Sequence, residues 1–125
     1  MARSKRRVRG LAELKRNCAA VGRRVDRAIE VGVKAGAEAV AGEARRLVAV
    51  AEGELRDSIH VESEAGRKDA SVVADAFHAA FVELGTSKMP ARPYLGPAAA
   101  GQAPVVRSLV ARAVKFAIEK TKARR

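Results

Sequence analysis

The sequence predicts an α+β fold, in which a long N-terminal helix and a C-terminal helix pack on a small, mainly antiparallel β-sheet, with a proline-rich loop before the last helix. Three observations predict it. Apolar and small residues recur in alternating steps of three and four over about residues 9–51, and an amphipathic pattern returns over 105–122. Between them, two short stretches alternate at period two around a polar segment centred on Gly66. Finally, Pro90, Pro93 and Pro97 fix φ at three points and deny that stretch a continuous helix.

The first helix carries its stripe on Leu11, Leu14, Cys18, Val21, Val25, Ala28, Gly32, Ala35, Ala39 and Gly42, while Arg16, Arg23, Arg24, Arg27, Lys34, Glu38 and Arg45 fall off it. Gly32, Gly36 and Gly42 each cost roughly 1 kcal/mol against Ala in a helix interior. Two readings account for them: a shallow face that lets another backbone approach closely, or a kink near 32–36. The segment 52–58 reads as a turn and short connection. Residues 58–62 and 70–74 read as the strands of a hairpin, closed by 63–69. Such a hairpin is not stable alone. It has to pack on the long helix or join strands from a neighbouring subunit.

Phe77, Phe81 and Leu84 stand at i, i+4 and i+7, one face of a short helix that Gly85 stops by entering the left-handed region. Residues 86–92 form a polar loop, and proline stiffening lowers the entropy lost when such a loop makes a contact. Val106, Leu109, Val110, Ala113, Val114, Ala117 and Ile118 line the last helix. Its C-terminal lysines favour the negative end of the helix dipole.

The chain has 125 residues, which predicts one domain over 1–125, with a basic arm at 1–9 and a basic tail at 120–125. Aromatics are only 3%, so the core is expected to use small side chains, with Phe77, Phe81, Tyr94 and Phe116 as its large pieces. Burial at roughly 25 cal/mol per Å² then yields little per residue, and assembly is expected to add stability. The single Cys18 excludes an intrachain disulfide and reads as a core or interface residue. No apolar run reaches the roughly 18 residues of a membrane span. The basic start has no apolar stretch behind it, as a secretory signal would. Synthesis in a reducing cytoplasm is expected.

The net charge of +11 is unevenly placed: residues 1–27 carry +8, residues 28–114 carry −1 and residues 115–125 carry +4. Terminal basic runs read either as solvated tails or as contacts to an acidic surface or packaged DNA, with Arg3, Lys5, Arg6, Arg7 and Arg9 as the contact residues. Without interleaved aromatics or a reading helix, sequence-specific DNA recognition lacks support. His60 lies near Glu62 and Glu64, and His78 near Asp75 and Glu83, the minimum for acid–base work. No nucleophile motif, phosphate loop or metal-ligand spacing accompanies them. The chain is therefore read as a non-enzyme, with no catalytic, cofactor or metal residue.

Three fragments occur in order: Leu55-Arg56-Asp57-Ser58-Ile59, Phe81-Val82-Glu83-Leu84-Gly85-Thr86 and Ala91-Arg92-Pro93-Tyr94-Leu95-Gly96-Pro97-Ala98. With the long helix before them, they resemble the head–tail joining family of siphophages, the gene-product-ten-like tail-completion group of HK97-type phages. The resemblance covers about residues 10–120. His78 departs from the tyrosine common in the family, and Glu52-Gly53-Glu54 replaces its Thr-Gly. The resemblance implies a virion structural protein of the phage neck, or of a gene transfer agent. Its subunits would form a hexameric ring that caps the tail tube and joins it to the head connector. The implied partners are other copies, a head-closure or connector protein, the tail tube protein and, non-specifically, packaged DNA; no membrane is implied. Glu83, Gly85, Thr86, Lys88, Met89, Arg92, Pro93 and Tyr94 are the expected interface residues, with Glu83 and Arg92 as polar anchors. The alternatives are a head-closure (stopper) ring protein and a small basic DNA-binding protein.

Overall fold

The computed structural model describes residues 10–48 and 52–123. In chain order the elements are α1 (Leu11–Leu47), α2 (Gly53–Ser58), β1 (Ile59–Glu62), β2 (Ser71–Ala74), α3 (Ala79–Leu84) and α4 (Leu95–Ala123). This is the expected α+β arrangement of two long helices with a small antiparallel sheet. The basic arm at 1–9 lies outside the described residues, as do residues 124–125 of the basic tail.

Gly10 sets the start of α1 with φ of 80°, and its carbonyl accepts the Leu14 N–H at 2.7 Å. The helix then runs unbroken for 37 residues, about 55 Å at 1.5 Å per residue. Of the two readings of its glycines, the shallow face is realised at Gly32 and Gly36. A Cβ on Gly32 would stand 2.8 Å from the Val110 Cα, and one on Gly36 2.8 Å from a Val106 methyl. These pairings also show that α4 runs antiparallel to α1. Gly42, by contrast, faces open space.

The buried stripe departs from the expected one beyond Gly32. It follows Gly32, Gly36, Ala37, Ala41 and Ala44, whereas Ala35 and Gly42 are exposed. The apolar side of the first half faces α4, while the second half turns toward the remaining elements, so one straight stripe does not describe both. At the other end, residues 11–19 are exposed on every side, and Cys18 is exposed rather than part of a core.

The main core gathers where five elements meet: Ala41, Ala44 and Val48 from α1, Leu55 from α2, Ile59 from β1, Ala79 and Val82 from α3, with Tyr94 and Ala98. Residues 53–58 form a helical turn and a half, not the expected turn, and this sinks Leu55 completely. Ser58 Oγ donates to the Leu55 carbonyl at 2.7 Å and closes α2 as β1 begins. The hairpin pairs Ile59 with Ala74 through Glu62 with Ser71, and Gly66 turns its connection at φ of 85°. It rests along α1. Arg45 donates from Nε and Nη2 to the Ile59 carbonyl at 3.2 and 2.7 Å. At the hairpin's far end, the Gly66 N–H donates to Glu30 at 2.9 Å, and Lys68 meets Asp26 at 3.1 Å.

The last helix starts about ten residues earlier than its periodicity indicates. Pro97 falls in its first turn, where backbone N–H groups lack intrahelical partners, so its missing donor costs nothing. Pro104 lies inside α4, where it withholds an N–H from the Ala100 carbonyl. Both residues are on an exposed face, so that carbonyl is open to solvent. No described helix is long and apolar enough to cross a membrane.

Candidate functional site

The short helix α3 has its two faces set by size. Ala79 and Val82 point inward against the core, whose large places are taken by Tyr94, Leu55 and Ile59. The larger apolar residues are turned out: Phe77 is 86% exposed, Phe81 52% and Leu84 78%. The expectation that Phe77 and Phe81 fill the core is therefore corrected, and so is that for Phe116, which is 67% exposed on α4. Of the four aromatics only Tyr94 is buried, at 1%. Leaving a large apolar side chain in water forgoes roughly 1.5–3 kcal/mol. Phe77, Phe81 and Leu84 thus form an apolar ridge, flanked by Asp75 and by His78, whose ring meets Phe77 edge-on at 5.1 Å.

Beside the ridge, the loop 85–94 is tied down at each end. Gly85 has φ of 78° and ψ of 172°, a region essentially restricted to glycine, and a Cβ there would stand 2.7 Å from the Ala91 nitrogen. Its N–H donates to the Phe81 carbonyl at 2.8 Å. The Thr86 N–H donates to the Met89 carbonyl at 2.8 Å, and Thr86 Oγ1 accepts the Lys88 and Met89 N–H groups at 3.2 and 3.1 Å. The Arg92 N–H then donates back to the Val82 carbonyl at 2.8 Å. Lys88, Met89, Arg92 and Pro93 are exposed on this closed loop.

Two of the expected interface residues do internal work. The Glu83 carboxylate accepts the N–H groups of Tyr94, Leu95 and Gly96 at 3.0, 2.8 and 3.3 Å. It thereby caps the start of α4 from another element and meets the positive end of its dipole. Tyr94 donates its hydroxyl to the Ala79 carbonyl at 3.2 Å inside the core. Its phenol is held above the usual range, first by burial and then by the negative charge of Glu83. Both residues brace the loop rather than face outward. The sequence signal for Glu83 was its place one residue before the end of α3, twelve residues ahead of a helix start that periodicity missed.

The histidines occupy separate surroundings. His60 Nδ1 lies 2.9 Å from the Ser58 carbonyl, and Nε2 lies 2.9 Å from Glu62. Asp75 stands 3.5 Å away, across the strand pair. The Ser58 carbonyl most of all, then Glu62 and Asp75, raises the imidazole above 6.5 against a partial loss of hydration. His78 pairs with Glu52 at 3.1 Å, not with Asp75 or Glu83. Among the described residues, no group of three or more His, Cys, Asp or Glu is placed to hold a metal ion.

A second surface lies between the long helices. Arg24, Arg27, Ala28 and Val31 of α1 and Arg112, Ala113, Phe116, Ala117 and Lys120 of α4 border an open groove of about 700 Å³. Sequence reasoning placed excess positive charge near both ends of the chain. It did not bring Arg24 and Arg27 together with Arg112 and Lys120, because that requires the antiparallel register set at Gly32 and Gly36.

No curated protein and no solved structure matches the chain at a significant level. A family model does: the one described as "Bacteriophage HK97-gp10, putative tail-component" matches residues 12–85, more than half of the chain. The match takes in nearly all of α1, then α2, the hairpin and α3, with the fragments at 55–59 and 81–85, while most of the loop and α4 lie beyond it. The chain belongs to the HK97-gp10-like family of bacteriophage tail components.

Proposed function

We propose that this protein is the tail-completion subunit of a phage neck, whose copies form a hexameric ring that caps the tail tube and joins it to the head connector. The observation that carries this reading is the ridge of Phe77, Phe81 and Leu84, with the pinned loop beside it. A tail component that leaves three large apolar side chains in water, in a chain with only four aromatics, is built to cover them on assembly. Met89, Arg92 and Pro93 extend that surface, while Glu83, Gly85, Thr86 and Tyr94 hold its shape. Among the described residues no third strand pairs with the two-stranded sheet, which leaves room for a neighbouring chain beyond the Ile59 carbonyl that Arg45 covers. The chain acts as one domain, and the basic arms at 1–9 and 120–125 touch acidic protein surface or packaged DNA.

Immunogold labelling of intact particles tests the position. Gold at the junction of head and tail is expected. Gold along the tube or at the distal tip would reject the neck assignment, and absence from the particle would reject a virion role.

A further inference from the structure

We infer that the paired helices α1 and α4 form a track for the sugar–phosphate backbone of DNA, with Arg16, Arg23, Arg27 and Lys34 on one rim and Arg112 and Lys120 on the other. The inference goes beyond the neck assignment and does not depend on it.

Spacing makes the first rim. Arg16, Arg23, Arg27 and Lys34 stand in steps of seven, four and seven, which at 3.6 residues per turn keeps them within about 40° of one another on one edge of α1. The row runs for about 27 Å at 1.5 Å per residue, and Arg27 sets it along the groove between the helices. The carboxylates of α1 do not interrupt it. Asp26 and Glu30 are turned to the hairpin, where they meet Lys68 and the Gly66 N–H, and Glu43 pairs with Arg46. Glu13 and Glu38 lie beyond the two ends of the row. Arg112 and Lys120 form the facing rim, and the one carboxylate of α4, Glu119, does not border the groove. Arg24 borders the groove as well but is already engaged within the chain. The six rim cations are exposed, and none of their side chains has an ion pair or hydrogen bond among the described residues.

This distribution selects the occupant. An exposed ion pair with a protein side chain adds little, because two long side chains must be held in one geometry. Phosphates gain from each cation without that constraint, because every contact releases a condensed counterion. DNA also presents its charge as a line, one phosphate per about 3.4 Å along each strand, and the rims present theirs as lines too. Val31 and Phe116, exposed between the rims, give apolar contact to the sugars. Contacts to phosphate and sugar carry no sequence information, so in a tail component the track holds passing DNA on the body of the subunit whatever its sequence.

The test is binding of the purified full chain to a short duplex of arbitrary sequence, followed by fluorescence anisotropy across a range of salt. Arg23→Gln with Arg27→Gln and Arg112→Gln removes three cations from the rims. Lys15→Gln with Arg107→Gln and Lys115→Gln removes the same charge from the same two helices, at exposed positions off the groove. The first variant is expected to bind at least about tenfold more weakly, with a slope of log K against log salt shallower by about 2.7, from 0.9 per phosphate. The second is expected to stay close to the parent in both. Arg23→Lys with Arg27→Lys and Arg112→Lys keeps the charge and is expected to keep the slope. Equal losses in the two Gln variants would reduce the effect to net charge and overturn the inference. A loss matched by the Lys variant would trace it to guanidinium packing and overturn the track. Parental binding in the first variant would leave DNA to the basic arms, and no duplex binding by the parent at low salt would leave the cations to an acidic protein surface; either result overturns the inference. None of these outcomes moves the neck assignment, which immunogold labelling decides.

Discussion

Replacing Gly32 by Ala should destabilise the protein even though alanine is the better helix former. In an unconstrained helix interior the change favours folding by about 1 kcal/mol. At Gly32 the new Cβ would stand 2.8 Å from the Val110 Cα and 3.3 Å from the Leu109 carbonyl oxygen, both backbone atoms. Neither can rotate away, so the two helices must separate by about 1 Å to reach ordinary contact near 3.5–4 Å. Overpacking of this kind costs about 1–3 kcal/mol. Set against the propensity gain, the net is a loss of up to about 2 kcal/mol. Gly42 supplies the control, since a Cβ there meets nothing within 4 Å. Gly42→Ala should gain close to the full 1 kcal/mol. Urea unfolding of the two variants beside the parent reads the difference directly. Equal or greater stability in Gly32→Ala than in Gly42→Ala would refute the close approach of α1 and α4.

Other perturbations have equally definite outcomes. Glu83→Ala should cost about 1–2 kcal/mol, because three N–H groups at the start of α4 lose their acceptor; thermal unfolding checks this, and no loss would remove the capping role. Tyr94→Phe keeps the ring but strips the Ala79 carbonyl of its donor, for about 1 kcal/mol. Gly85→Ala should be more damaging than either, since it combines a forbidden φ of 78° with a backbone clash. His60 is raised in the folded state, so the stability it contributes is fully present below its unfolded value of about 6.5 and fades as pH rises through the folded value. Unfolding measured at pH 5.5 and 8.5 should therefore show a downward step with pH that shrinks in His60→Gln; an unchanged step would exclude His60 as its source.

The sequence revealed most where an element has room to repeat itself. The long helix, the hairpin and the stop at Gly85 follow from periodicity and glycine chemistry over enough residues to be read. What it hid depends on the space between elements. The interior beside α3 is already filled by Tyr94, Leu55 and Ile59 packed among Ala41, Ala44 and Ala98, so it takes Val82 and leaves the phenylalanines outside. The i, i+4, i+7 pattern of Phe77, Phe81 and Leu84 therefore marks an outer face, although the same spacing would mark a core face had the opposing helix left more room. The six-residue α2 was too short for any period to show, and prolines obscured the start of α4 because only those past the first turn oppose a helix. The groove required a tertiary register that only the pairing of Gly32 with Val110 and Gly36 with Val106 provides.

The most direct measurement on the tail-completion assignment is electron microscopy of negatively stained particles from a producing strain that lacks the gene. DNA-filled heads beside unattached or overlong tails are the expected result. Emptied heads with normal free tails would move the subunit to the head-closure ring, and intact particles with tails of normal length would contradict a role in the neck.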